Sequence, residues 1–405
     1  MTCKEFINGL VSGLVSSRLQ PDLQVTLISM GETMLTTVAK QTWGFLRRFT
    51  PSKDHFGPHT YAPFEGYYSR TQLDDGGTLA VIFCWVKNAP HRANLVHLSY
   101  TPARTTLSPN TFKYEVFPDD MSISTFYQPQ GKHQPFTVEV KDAGTMELKG
   151  GSIEYRIRLE EHEVELNLRI TEPTSWSHDV PLAGPMGLLT LFSRFLPLNW
   201  HVFCTSSQAT YTLRHRGKTQ SGTGISHVEK NWGSSFPSGW IWSQSFASTK
   251  PTKSLALAGG VALPGIEAYL VGYRSPSLCW DFRPPFAMGT TWFSPFMSVH
   301  HDSKAGTFRL TVQTFRRKLV IKVNAPVDSF IGLAAPLADG HHPMFAFESF
   351  VGATQVEAWG RAYPWQSWIL LEEGPCGLTR DGIPCSALEF GGTFSHLVSE
   401  HPKSD

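Results

Sequence analysis

The chain of 405 residues has no excess of either charge: 35 Lys and Arg stand against 34 Asp and Glu, a formal net charge of +1. That balance argues against a nucleic-acid groove, which needs a strong positive field, and against an acidic solvating tail. Charged residues are scarce altogether, at 17%. The basic run Arg316-Arg317-Lys318 lies in an alternating stretch and is expected to be a solvated strand end. Cysteine is sparse too. The six cysteines, Cys3, Cys84, Cys204, Cys279, Cys376 and Cys385, form no CxxC pair and have no His-x-x-x-His partner nearby. That spacing argues against a zinc site and against a disulfide scaffold. Thiols in a reduced compartment are expected, with a Cys376–Cys385 bridge as the alternative.

Long apolar runs are missing as well, since nothing approaches the ~20 residues needed to cross a bilayer. Phe6 to Val15 is broken by Asn8, Gly9 and Gly13, and Glu5 follows Lys4, so the start does not resemble a signal peptide. Asn-x-Ser/Thr sequons are absent. A soluble cytoplasmic protein is the expectation, with peripheral membrane contact left open. There is no phosphate-binding Gly loop, GxSxG elbow or dinucleotide fingerprint. His300-His301-Asp302 and His341-His342 are adjacent sets that would point to opposite faces of a strand; they are expected in loops, and no metal or cofactor is expected.

Apolar and aromatic residues are plentiful. Hydrophobic residues make up 41%, and 12 Trp, 27 Phe and 11 Tyr are enough to line a cavity and still fill a core. In residues 1–55, Phe6, Leu10 and Leu14, then Met34, Leu35, Val38, Trp43, Phe45 and Leu46, are spaced near the helical period, with Pro21 between the groups. One or two short helices are predicted there. After Pro51 the texture changes to short runs of β-branched and aromatic residues between Gly, Pro and Asp turns. Strands are predicted at 67–71, 78–86, 112–117, 153–159 and 164–170, and again at 254–262, 268–273, 307–314, 319–323 and 356–362. Ile153 to Leu159 alternates cleanly, as a strand with one wet and one buried face does. Many short strands at regular spacing indicate antiparallel barrels or sandwiches.

A weak repeat divides the chain. Phe64-Glu65-Gly66-Tyr67-Tyr68 is followed by the apolar run Leu79 to Trp85, and Phe236 to Trp242 is followed by Leu255 to Leu263. Each block reads as the first hairpin of a barrel, placing one unit at 56–233 and a second at 234–405. Between them, Leu188, Leu189, Leu191, Phe192 and Phe195 are either a short helix over a barrel mouth or a plain packed connector.

Glu229-Lys230-Asn231-Trp232-Gly233, then Phe236-Pro237, then Trp240-Ile241-Trp242-Ser243-Gln244, resembles the tocopherol cyclase family, whose pattern is Glu-Lys-(Asn/Asp)-Trp-Gly, Phe-Pro and Trp-x-Trp-x-Gln. Phe64 to Tyr68 is similar to that family's opening Phe-Glu-Gly-Trp-Tyr, with Tyr67 in place of Trp. Gly184-Pro185-Met186-Gly187, Pro197 and Trp200-His201 resemble its central segment, and Ala387 to Gly392 its closing strand. The resemblance spans roughly 56 to 395. It implies a mainly β fold of two consecutive lipocalin-like antiparallel β-barrels with a shared or adjacent apolar cavity. It also implies cofactor-free closure of a ring in a hydrophobic, unsaturated isoprenoid or polyketide-terpenoid molecule. Such closure is initiated by a proton or proceeds as a hetero-Diels–Alder [4+2] addition. A non-catalytic lipid carrier is the alternative.

Such chemistry needs a cavity that folds the substrate, a donor that activates one end, and aromatic faces that tolerate positive charge. Proximity can supply up to about 7–11 kcal/mol, a hydrogen-bond donor about 3–4 and an aromatic face about 1–2. Glu229, Lys230, Asn231 and Trp232 offer four functional groups in succession. On a strand Glu229 and Asn231 share one face, and Lys230 and Trp232 the other. One pair is expected to activate the substrate; equally, an ion pair and a Trp plug would close a barrel bottom. His201 and Glu65 are further acid–base candidates. Tyr67, Tyr68, Trp85, Trp240, Trp242, Gln244 and Trp292 are the expected substrate contacts.

Overall fold

A computed structural model describes residues 55–103, 110–126, 133–177, 183–246, 253–290 and 292–396. The helices expected before Pro51, and Cys3, lie outside them. Eleven strands form one antiparallel sheet. They are β1 (Phe64–Leu73), β2 (Thr78–Val86), β3 (Asn94–Thr101), β4 (Phe112–Val116), β5 (Met121–Thr125) and β6 (Phe136–Val140). β7 (Gly144–Lys149), β8 (Ser152–Leu159), β9 (Val164–Thr171), β10 (Leu198–His215) and β11 (Lys218–Gly233) complete it. Twelve strands form the second sheet. They begin with β12 (Gly239–Phe246), β13 (Ser254–Leu263), β14 (Ile266–Arg274), β15 (Cys279–Phe282), β16 (Met288–Thr290) and β17 (Met297–Asp302). β18 (Thr307–Gln313), β19 (Arg317–Asn324), β20 (Ile331–Leu337), β21 (Gly340–Gly360), β22 (Ile369–Cys376) and β23 (Ser386–Gly392) follow.

The fold is mainly β, as two curled antiparallel sheets of lipocalin-like type. The repeat in the sequence is a repeat in topology. β1 pairs with β2 and with the last strand of its sheet, β11. β12 pairs with β13 and with β23, the last strand of the second sheet. Period-two alternation decides what each sheet buries. In β2 the odd positions Leu79, Val81 and Phe83 enter the first core, with Tyr155 and Leu168 from facing strands. The second sheet curls around Leu257, Val271, Leu310 and Ile321. Each such side chain contributes about 1.5–3 kcal/mol on leaving water.

The outer faces matter more here, because the two sheets turn them toward each other. Trp176, Trp200, Val202, Trp242, Phe350 and Ala387 pack in that layer. Arg70, fully buried, crosses it to donate to Gln244 Oε1 and the Cys385 carbonyl, and its guanidinium lies 5.4 Å from the Phe246 ring centroid. At another edge Lys113 Nζ donates to the Gly332 carbonyl at 2.8 Å, and Glu115 accepts from the Ala334 N–H at 2.8 Å. These bonds set the spacing of the sheets.

One expectation changes. His300, His301 and Asp302 are on β17, and His341 and His342 on β21, rather than in loops. Each pair does split to opposite sides: His341 is buried against the Arg92 carbonyl, whereas His342 meets Asp339 at the surface. Cys376 and Cys385 are free buried thiols, and Cys385 donates to Gln72 Oε1 at 3.0 Å. The segment Gly187–Phe192 is a short 3-10 helix. Among the described residues no helix is long and apolar enough to cross a membrane.

Candidate active site

A cavity of about 980 Å³ opens in the layer between the sheets. Its walls are largely apolar, from Ile82, Leu95, Met186, Leu189, Leu270 and Leu333 among others. Three tryptophans, Trp200, Trp240 and Trp242, present their rings to it together with Tyr68. Its polar side chains are few, chiefly Glu229, Asn231, Ser235, Ser238 and Glu389. A mostly apolar pocket with a few convergent polar groups is the usual form of a small-molecule site.

Strand register brings these groups together. On β1 and β11, Tyr68 lies opposite Glu229. On β12 and β23, Trp242 lies opposite Glu389, and on β21 and β23, Glu348 lies opposite Glu389. Trp242 Nε1 donates to Glu229 Oε2 at 3.0 Å, and His227 Nε2 is 2.8 Å from the same oxygen. Trp240 Nε1 donates to Glu389 Oε1. The Tyr68 hydroxyl donates to Glu348 Oε1 at 2.7 Å, behind the wall. Glu348 Oε2 is buried without a hydrogen-bond partner.

Directly opposed carboxyls on one sheet face cannot both carry charge cheaply. Burial, and the Glu389 carboxyl opposite, raise Glu348 well above the ordinary carboxylate range. Burial pushes Glu389 up to about 7, against the Trp240 hydrogen bond and with Glu229 adding to the rise. Protein encloses Glu389, and the surface it keeps faces the cavity. A carboxyl with a pKa near 7 is a proton donor suited to neutral pH. Tyr68 is raised too, first by burial and then by Glu348, and stays a phenol.

The four-residue run Glu229 to Trp232 divides by face. Glu229 and Asn231 line the cavity. Lys230 and Trp232 point the other way, into the first sheet, where Lys230 pairs with Glu65. There Lys230 also donates to the Phe56 carbonyl at 3.2 Å and lies 5.0 Å from the Tyr67 ring centroid. His59 stacks on Trp232 at 4.3 Å between centroids and binds Glu65 through its N–H and Nδ1. Burial would raise Glu65, but Lys230 and His59 outweigh it and hold its pKa below the usual value. The Lys230–Glu65 pair and the stacked Trp232 are thus buried in the first sheet, away from the cavity. His201 lies on the same inner side, with its ring centroid 6.5 Å from that of Phe56.

Of the expected substrate contacts, Tyr68, Trp240 and Trp242 line the cavity, and Tyr67 does so from the strand that carries its ring inward. Trp85 packs on Tyr67 inside the first sheet, 5.9 Å between centroids. Gln244 is taken up by Arg70. Trp292 is 95% exposed, outside the cavity wall. Sequence reasoning missed Glu389 and Glu348. Their signal was a lone carboxyl within an apolar strand run, Ala387-Leu388-Glu389-Phe390 and Phe347-Glu348-Ser349-Phe350.

Comparisons with known proteins accord with this architecture. The model of a family described as tocopherol cyclase-like matches residues 61–370. The crystal structure of CghA aligns with a TM-score of 0.53 at 10% identity, covering 82% of this chain and 88% of that one. CghA with Sch210972 aligns at 0.52 and 9% identity, with the same 82% and 88% coverage. Kievitone hydratase from Nectria haematococca gives 0.48 and 11%, covering 85% and 93%. At these identities the likeness to CghA is one of fold. None of the curated proteins matches the sequence.

Proposed function

The chain belongs to the tocopherol cyclase-like family, and on that premise we propose that it closes a ring, without a cofactor, in a neutral, hydrophobic, unsaturated small molecule. The observation that carries this reading is the presence of one enclosed acid, Glu389, and one hydrogen-bond acceptor, Glu229, on the wall of an apolar cavity. At the ~30 Å³ a water occupies in the liquid, about 980 Å³ holds roughly thirty non-hydrogen atoms. That suits an isoprenoid or polyketide-terpenoid skeleton.

In the proposed reaction the Glu389 carboxyl protonates a carbon–carbon double bond. The positive charge that forms on the neighbouring carbon is stabilised by the faces of Trp240 and Trp242. A substrate hydroxyl oxygen attacks that carbon, closing an oxygen heterocycle, and its proton passes to Glu229. The substrate gains and loses one proton, so no oxidant or reductant is needed. Asn231 orients the hydroxyl. A concerted hetero-Diels–Alder closure would use the same wall, with Glu389 donating a hydrogen bond to the carbonyl of the reacting system.

The test is incubation with a panel of prenylated hydroquinones and polyenyl quinone methides in D2O, followed by chiral chromatography and mass spectrometry. Enzymatic closure gives one stereoisomer faster than the buffer control. One deuterium on carbon marks proton initiation, and none marks the [4+2] route. Glu389→Gln is expected to lower kcat by about 10²–10⁴-fold, the usual contribution of a general acid. Ligands bound but released unchanged, with rates equal to buffer, would leave a lipid carrier.

A further inference from the structure

The cavity carries an electrostatic asymmetry that ring closure alone does not require. Among the described residues that line it there is no Lys, Arg or His, while two carboxyls do line it. Arg70 is walled off by its own bonds to Gln244 and Cys385, and Lys230 is turned into the first sheet toward Glu65. Among the described residues the hydrogen bonds to these carboxyls fall on Glu229 Oε2 and Glu389 Oε1, leaving the other oxygen of each outside them. Around these oxygens stand aromatic faces: Tyr68 and Trp242 meet edge to face at 5.1 Å between centroids, and Trp240 adjoins Phe236 at 5.0 Å. Ring faces and carboxylate oxygens attract positive charge and repel negative charge, the more so when water is excluded.

We propose that the cavity is a binding site for hydrophobic amines, seating a substituted ammonium between Glu229 and Glu389 against the Trp240, Trp242 and Tyr68 rings with its apolar tail along the leucine-rich wall. The same geometry excludes anions. Carboxylates, phosphate esters and diphosphates find no cationic side chain to meet, so ligands enter as neutral or cationic species. This inference uses the cavity assigned above to ring closure and extends it to a ligand class that need not react.

The experiment compares three probes of one length: N,N-dimethylgeranylgeranylamine, geranylgeraniol and geranylgeranic acid. Binding to the full chain is followed by tryptophan fluorescence and calorimetry at pH 7.5, below the concentration at which the probes aggregate. The amine is expected to bind at least 10-fold tighter than the alcohol, and the acid at least 10-fold weaker. Glu229→Gln and Glu389→Gln each reduce the advantage of the amine, and together they bring it below about 3-fold. Far-UV circular dichroism and urea unfolding curves that match the wild type show that the variants are folded. Equal binding of amine and acid, or an amine preference that survives the double substitution, overturns the proposal. An amine preference without ring closure on any olefin would remove the cyclase reading alone. Ring closure without charge preference would remove only this one.

Discussion

Glu389 is flanked in its strand by Leu388 and Phe390, both buried in the second core. Its neighbour across the sheet is a buried carboxyl, Glu348. Because its pKa is about 7, the protonated form required of a general acid is present below that value and lost above it. The kcat/KM of the proposed reaction is therefore expected to fall as pH rises through about 7, while Glu389→Gln gives a low, flat profile over the same range. A wild-type profile that rises with pH would reject the acid role. Lys230 makes a different point. It was singled out with Glu229 by sequence, yet it sits beside Glu65 where water is excluded. Lys230→Met leaves the buried Glu65 carboxylate with only its His59 partners and no facing cation, with an expected loss of about 3–5 kcal/mol in urea unfolding. Lys230→Met with Glu65→Leu removes both charges and is expected to recover much of that loss.

At the level of elements, alternation predicted the strands where one face is wet. The residues 153–159 fall in β8 and 164–170 in β9, both with buried positions recurring at every second residue. It failed where both faces are covered. β10 and β11 run 18 and 16 residues, and their shared stretch carries register shifts near Val202 to Ser207, so no single period describes it. Gly272 marks another tight place: on β14, a Cβ there would lie 2.2 Å from the Trp176 ring. Trp176 belongs to the connector before β10, and its carbonyl accepts from Arg274 Nη2 at 3.0 Å. Gly272→Ala must displace that ring, with an expected loss of about 1–3 kcal/mol seen as a lowered Tm. The connector's 3-10 helix, Gly187–Phe192, was one of two alternatives for this segment, and it sets Leu189 on the cavity wall. Leu189→Ala is expected to raise KM for long-chain substrates with less change in kcat.

Across the whole molecule, the spacing of the two sheets shapes the cavity. One clasp is Glu115 on β4, which meets Lys113 at 3.0 Å and the Ala334 N–H of β20 at 2.8 Å. Burial would raise its pKa, but His97, Lys113 and that N–H outweigh burial and hold it at about 2. A carboxyl depressed on folding stabilises above its unfolded pKa, near 4.3, and loses that contribution as pH falls through the folded value. Stability is thus expected to fall between about pH 4 and 2, with a shallower slope in Glu115→Gln, measured by urea unfolding at each pH. An unchanged slope would show that the clasp carries no linked proton.

The sequence by itself determined the β architecture, the paired opening hairpins, and the separation of Glu229 and Asn231 from Lys230 and Trp232. All three follow from a period of two and from turn residues, which act over a few positions of chain. Only the tertiary structure decided that the cavity lies outside both sheets, between them, and so which pair faces it. It also decided that Glu348 and Glu389 stand opposite one another. Strand register and sheet facing are set by pairing between distant segments, and no local pattern records them.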